Sequence, residues 1–178
     1  MPSPDRLIVL FRRDQIQREV DRLASQIRED YRDKNPLLIG VLKGSFIFMA
    51  DLVRALNIPL EVDFVRIGSY GARTESSGEV DEIHGLRTPV LGRHVLVIED
   101  IVDTGTTLSW LMNSLREKKP ASLRLCAMFD KPARRKVLVH IDYMGLTLPN
   151  RFVVGYGLDF NERYRYLPDL YAIEESRA

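Results

Sequence analysis

Residues 95–108 read VLVIEDIVDTGTTL. Val95 to Ile98 form the short unbroken apolar run of a strand covered on both faces. Glu99 and Asp100 stand at its carboxyl end, Asp103 follows, and Thr104-Gly105-Thr106-Thr107 opens a helix. In open α/β sheets, ligands bind beyond the carboxyl ends of strands. A helix N-terminus adds unpaired N–H groups and a partial positive charge, which suit a phosphate. Gly105 lets the backbone approach an anion or take a positive φ, and the threonine hydroxyls add donors. Thr-Gly-Thr-Thr alone is a common kind of helix cap. Three crowded carboxylates beside it repel unless cations or donors compensate them. The stretch therefore reads as a site for a phosphorylated sugar, with phosphate on the turn and sugar hydroxyls and magnesium near Glu99 and Asp100.

Working outward, strands alternate with helices. Ile16, Val20, Leu23, Ile27 and Tyr31 recur at steps of three or four, which predicts a core-facing helix over 14–31 with Asp14 as N-cap. Asn35-Pro36 breaks it, and LLIGVL (37–42) reads as a buried strand leading into Lys43-Gly44-Ser45. FIFMADLVRAL is long enough for a helix, and LEVDFVRIGSY (60–70) reads as a strand. GARTESSGEVDE lacks an apolar period and reads as a mobile loop. Beyond the opening stretch, a helix from Thr106 to Lys119 ends at Pro120, with Leu108, Leu111, Met112 and Leu115 on one face. LRLCAMFD and FVVGYGLD (152–159) read as strands, RKVLVHIDYMGLTLP as a strand-rich connection, and FNERYRYLPDLYAI as irregular. The order predicts a doubly wound, mostly parallel α/β sheet flanked by helices.

The chain has 178 residues, 45% of them hydrophobic, which suits a single domain with a substantial core. Lys plus Arg number 26 against 25 Asp plus Glu, so the net charge of +1 creates no global field toward nucleic acid or a membrane, and any anion site is local. No apolar run approaches the roughly 20 residues that span a bilayer, and the N-terminus lacks a signal-peptide pattern, so a cytoplasmic location is expected. Cys126, the single cysteine, sits in an apolar run and reads as a buried structural thiol. His84, His94 and His140 lack metal-ligand spacing and read as structural or surface residues.

The chain has no G-x-x-x-x-G-K-[ST] and no G-x-G-x-x-G, which disfavours a P-loop hydrolase and a Rossmann dehydrogenase. VLVIEDIVDTGTTL closely resembles the phosphoribosyl pyrophosphate (PRPP) motif of type I phosphoribosyltransferases, a strand leading to two acids and a loop closing on Thr-Gly-x-Thr. Further segments resemble the hypoxanthine-guanine branch of that family, with matches running from about residue 7 to 173. VLKGSFIFMADLVR is similar to its first active-site loop, which implies that Lys43 and Gly44 contact pyrophosphate and that a cis peptide bond precedes the lysine. Ser69-Tyr70 resembles the start of the mobile catalytic loop, here expected over 69–82. FDKP places Lys131 where the branch meets the purine 6-oxo group. FVVGYGLDFNERYRYLP resembles the purine-holding region, so Phe152 would stack on the base, Val153 would bond it through its backbone, Asp159 would hold a second magnesium beside it, and Arg165 would contact pyrophosphate. The implied fold adds a small hood built from residues 150–178 and the N-terminal segment.

The resemblance implies purine salvage: hypoxanthine or guanine joins C1 of PRPP, giving IMP or GMP and pyrophosphate. Asp103 is the expected general base beside purine N7; Glu99 and Asp100 would grip the ribose hydroxyls and magnesium. Lys131, a donor, suits a 6-oxo group better than the 6-amino group of adenine. The family is usually dimeric or tetrameric. A rival reading makes the chain an RNA-binding regulator on the same fold, resting on the basic runs Arg12-Arg13 and Arg134-Arg135-Lys136, which otherwise read as solvated surface.

Overall fold

The computed structural model describes residues 6–67 and 85–174. The expected lid over 69–82, with Ser69 and Tyr70, lies outside the described residues, as does His84. The elements are β1 (Arg6–Phe11), α1 (Arg13–Tyr31), β2 (Leu37–Leu42), α2 (Phe46–Leu56), β3 (Glu61–Arg66), β4 (His94–Val102), α3 (Thr106–Glu117), β5 (Ser122–Asp130), β6 (Tyr143–Thr147), β7 (Val153–Val154) and β8 (Leu170–Glu174). Among the described residues, no helix is long and apolar enough to cross a membrane.

Strands β3-β2-β4-β5-β6 form one parallel sheet in that order. Because side chains alternate across a strand, unbroken apolar runs supply two cores. Leu38, Leu96, Ile98, Cys126 and Met128 face α1 and α2. Leu37, Ile39, Val95, Val97, Leu125 and Ala127 face α3, which presents Leu108, Leu111, Met112 and Leu115. Cys126 is buried, and burial raises its thiol pKa, as expected of a structural cysteine. This is the doubly wound fold that the alternation predicts. Leu111 is fully buried at the α3 face, so Leu111→Ala should destabilise the protein by about 2–5 kcal/mol. Urea denaturation measures this, and a loss below about 1 kcal/mol would mean that α3 does not anchor the core.

A second sheet, β1-β8-β7, is antiparallel and joins the two chain ends, matching the expected hood. Here the sequence expectations need correcting. The strand expected over 152–159 is confined to Val153–Val154, and the chain then turns at Gly155, Tyr156 and Gly157, all with positive φ. The last strand is Leu170–Glu174, inside the tail that reads as irregular. Strand β3 ends at Arg66, short of the expected 70, and the connection after β5 contributes only β6. Arg12, in place of Asp14, is the N-cap of α1; its N–H donates to Gln15 Oε1 at 2.9 Å, and Asp14 lies in the first turn.

Strand β2 runs through α2 to β3 on one side, while β4 runs through α3 to β5 on the other. The order therefore reverses between the neighbours β2 and β4. A crevice opens beyond the carboxyl ends of strands at such a switch point. The residues there are Lys43-Gly44-Ser45 after β2 and the acidic turn at the end of β4.

Candidate active site at the β2–β4 switch point

Strand β4 delivers Glu99 and Asp100 at its carboxyl end, with Asp100 only 8% exposed. Glu99 Oε2 is buried without a hydrogen-bond partner among the described residues. Burial, and then repulsion from Asp100, pushes the Glu99 carboxyl well above the usual range. Burial also raises Asp100, although the Ile101 N–H donates to its Oδ1 at 2.9 Å and Arg165 adds positive charge. A buried and an adjacent half-buried carboxylate lacking a full set of donors form the kind of oxygen ligand set that a hard divalent cation takes.

The β2 loop comes directly against this pair. Its Leu42-Lys43 peptide bond is cis, as the motif resemblance implies. Ser45 is fully buried, and its Oγ donates to Val41 O at 2.6 Å, which pins the turn. A Cβ on Gly44 would stand 1.5 Å from Asp100 Oδ2, so only glycine fits between the loop and the acid.

The turn after β4 opens α3. Gly105 is the N-cap with φ 80, the positive value that the sequence allows for, and no side chain caps the helix. Thr106 N–H has only a 3.5 Å contact with Thr104 Oγ1, so the first turn keeps donors for an anion. Thr104 O accepts from the N–H groups of Lys136 and Val137 at 2.9 and 3.0 Å, which fixes the turn from outside. Thr107 follows Thr106 in that first turn of α3.

In the run Arg134-Arg135-Lys136, Arg134 and Lys136 are exposed as expected, and only Arg135 departs from the solvated surface. Arg135 is largely buried; it donates to Asp103 O at 3.1 Å and Val102 O at 3.2 Å and pairs with Asp130. Arg134 Nε lies 3.2 Å from Asp103 Oδ1. Both arginines thus hold the Asp103 turn, a role without local signal because their partners are remote in sequence. Lys131 is 5% exposed. Burial lowers the pKa of its ammonium, the Asp103 charge opposes that fall, and Arg134 adds to it. His94 Nδ1 meets Ser122 Oγ at 2.8 Å, and His140 is exposed beside Asp142, as expected of structural and surface residues.

The segment after β7 closes the other wall. Phe152 is 48% exposed and packs edge-on against Phe160, with ring centroids 5.3 Å apart and planes at 74°. Val153 is buried beside it. Arg165 Nη2 pairs with Asp159 Oδ1 at 2.7 Å, its Nη1 donates to Gly157 O at 2.8 Å, and its Nε is buried without a partner among the described residues. Lys43 Nζ pairs with Glu162 Oε1 at 2.8 Å. The structure therefore gathers Lys43, Asp159 and Arg165 through Glu162, with Glu99, Asp100 and Gly44 adjoining and Asp103 near Lys131. Sequence reading missed Glu162 and Phe160, although both lie inside the segment singled out. Among the described residues no group of three or more His, Cys, Asp or Glu converges on one point, so Asp159 stands apart from the Glu99-Asp100 pair.

This fold and this crevice define the phosphoribosyltransferase class, and the family model for the phosphoribosyl transferase domain matches residues 10–161. The hypoxanthine-guanine phosphoribosyltransferase of Bacillus subtilis (strain 168) is 48% identical over 160 residues, covering 90% of this chain and 89% of that protein. The crystal structure of a hypoxanthine-guanine phosphoribosyltransferase from Bacillus anthracis superposes with a TM-score of 0.87 at 38% identity, covering 96% of this chain and all of that one. The chain belongs to the hypoxanthine-guanine phosphoribosyltransferase family. It is also 48% identical to the bifunctional protein TilS/HprT of Listeria innocua, of which it spans 25% of the length.

Proposed function

We propose that the protein transfers the 5-phosphoribosyl group from PRPP to hypoxanthine or guanine, giving IMP or GMP and pyrophosphate in purine salvage. One observation carries this reading beyond family membership: the acid pair, the open N-terminus of α3, and Lys131 beside Asp103 lie along one switch point. A donor with a phosphate end, a sugar and a leaving group matches that sequence of environments. The Thr104, Gly105, Thr106 and Thr107 turn takes the 5-phosphate, helped by the helix-end donors. Glu99 and Asp100 orient the ribose through its hydroxyls. Lys43, Gly44 and Arg165 take the pyrophosphate, whose charge grows as the C1–O bond breaks. Phe152 stacks on the purine, Val153 bonds it through its backbone, and Lys131 donates to the 6-oxo oxygen.

The chemistry of the Glu99-Asp100 pair fits Mg²⁺, with Asp159 the candidate for a second ion once it releases Arg165. When bound, the metal neutralises charge on the leaving pyrophosphate. Asp103 accepts or shares the purine proton as N9 attacks C1. Asp103→Asn should therefore lower kcat at least about tenfold with little change in KM for PRPP. An unchanged kcat in steady-state kinetics would remove Asp103 from this role. Ser69 and Tyr70 would start a lid over 69–82 that keeps water from the activated sugar.

We take residues 1–178 to work as one domain, in the cytoplasm, as a homodimer or homotetramer that binds neither nucleic acid nor membrane. Arg134 and Arg135 support the enzyme reading over RNA binding, since both are engaged with Asp103 or Asp130. Product analysis tests the function: PRPP, Mg²⁺ and hypoxanthine should yield IMP and pyrophosphate in equal amounts. Pyrophosphate released without IMP would contradict it.

A further inference from the structure

We infer that Glu162 is a built-in occupant of the pyrophosphate subsite, a carboxylate that must leave Lys43 and Arg165 before the donor's pyrophosphate end can bind. The inference rests on the proposed reading of those two cations as pyrophosphate ligands. Glu162 Oε1 lies 2.8 Å from Lys43 Nζ, and Oε2 lies 3.4 Å from Arg165 Nη2. One carboxylate thus spans both cations with its two oxygens, as two oxygens of a phosphate would.

The backbone delivers it there. Phe160 and Arg163 exchange backbone hydrogen bonds at 3.2 and 3.1 Å, and between them Asn161 and Glu162 take φ of 53 and 61. The Glu162 N–H donates to Asp159 Oδ2 at 2.9 Å, which fixes the base of the side chain. Arg165 Nη1 is held independently by Gly157 O, so its guanidinium stays in place when Glu162 swings away, whether or not Asp159 keeps its own pair with it. The Glu162 side chain is 65% exposed, which leaves it free to move. At neutral pH a glutamate side chain is an anion and so able to compete with the ligand.

Exposed ion pairs are weak, so the competition amounts to a modest factor. Glu162→Gln removes the charge and keeps the shape. The full-length variant should bind inorganic pyrophosphate about three- to fivefold tighter in calorimetry with Mg²⁺ present, a factor in keeping with one exposed pair. KM for PRPP should fall by a similar factor, while KM for the purine stays unchanged. Glu162→Ala should act in the same direction, and melting temperatures verify that both variants are folded. A merely structural glutamate would not tighten binding when removed. Equal or weaker pyrophosphate binding in both variants overturns the inference. Lys43→Ala separates the two layers: it should weaken pyrophosphate binding, and no change would sink the subsite reading and this inference with it.

Discussion

Gly44→Ala should lower kcat/KM at least about 100-fold. The added Cβ would stand 1.5 Å from Asp100 Oδ2. Nothing nearby yields cheaply, because Asp100 is buried and tied to the Ile101 N–H, and Ser45 anchors the same loop to Val41. On the proposed assignment, either Lys43 leaves the pyrophosphate side or Asp100 leaves the ribose side. A misplacement of about 1 Å in a positioned site costs on the order of 100-fold. Both KM for PRPP and kcat should suffer, and circular dichroism should report a folded chain, since the clash lies between the loop after β2 and the carboxyl end of β4. Activity within about threefold of the parent would show that the close approach does not matter to catalysis.

Excess chelator should abolish turnover, and Mg²⁺ should restore it. Glu99 and Asp100 are neighbouring acids, half-buried and buried, whose pKa values rise through desolvation, reinforced at Glu99 by the Asp100 charge, and Glu99 Oε2 has no donor among the described residues. Such a pair is costly when ionised and alone, and a divalent cation relieves that cost while matching oxygen ligands. In the proposed reaction, pyrophosphate departure adds a second demand for positive charge that Lys43 and Arg165 would meet only in part. Full activity in chelator would defeat the metal assignment. Loss that Mg²⁺ fails to restore would point to damage from the chelator treatment.

The fold was legible where a single physical signal dominates. LLIGVL and the VLVI of β4 are unbroken apolar runs because both faces of β2 and β4 are covered, and α1 shows its buried stripe at helical spacing. The hood was not legible from local pattern. Strand β7 is two residues long, and β8 follows Pro168 in a segment too short and mixed for a clear period. Strand β8 pairs with β1 on one side and β7 on the other, joining segments that sequence reading sees separately.

The same division holds in the site. Glu99 to Thr107 are contiguous, so their clustering was visible without coordinates. Lys43, Lys131, Asp159 and Arg165 each read alone as ordinary surface or turn charges, and only the motif resemblance singled them out. Glu162 and Arg134 escaped both routes. Their partners Lys43 and Asp103 are brought near by folding alone; Glu162 and Lys43 lie 119 positions apart.

The central claim is that the crevice joins a 6-oxopurine to PRPP. A steady-state assay of hypoxanthine, guanine, xanthine and adenine with PRPP and Mg²⁺ tests it most directly. Hypoxanthine or guanine should give nucleotide with kcat/KM at least about 100-fold above adenine, because the 6-amino group would leave the buried Lys131 donor without an acceptor. Nucleotide from none of the four purines, or a preference for adenine, would contradict it.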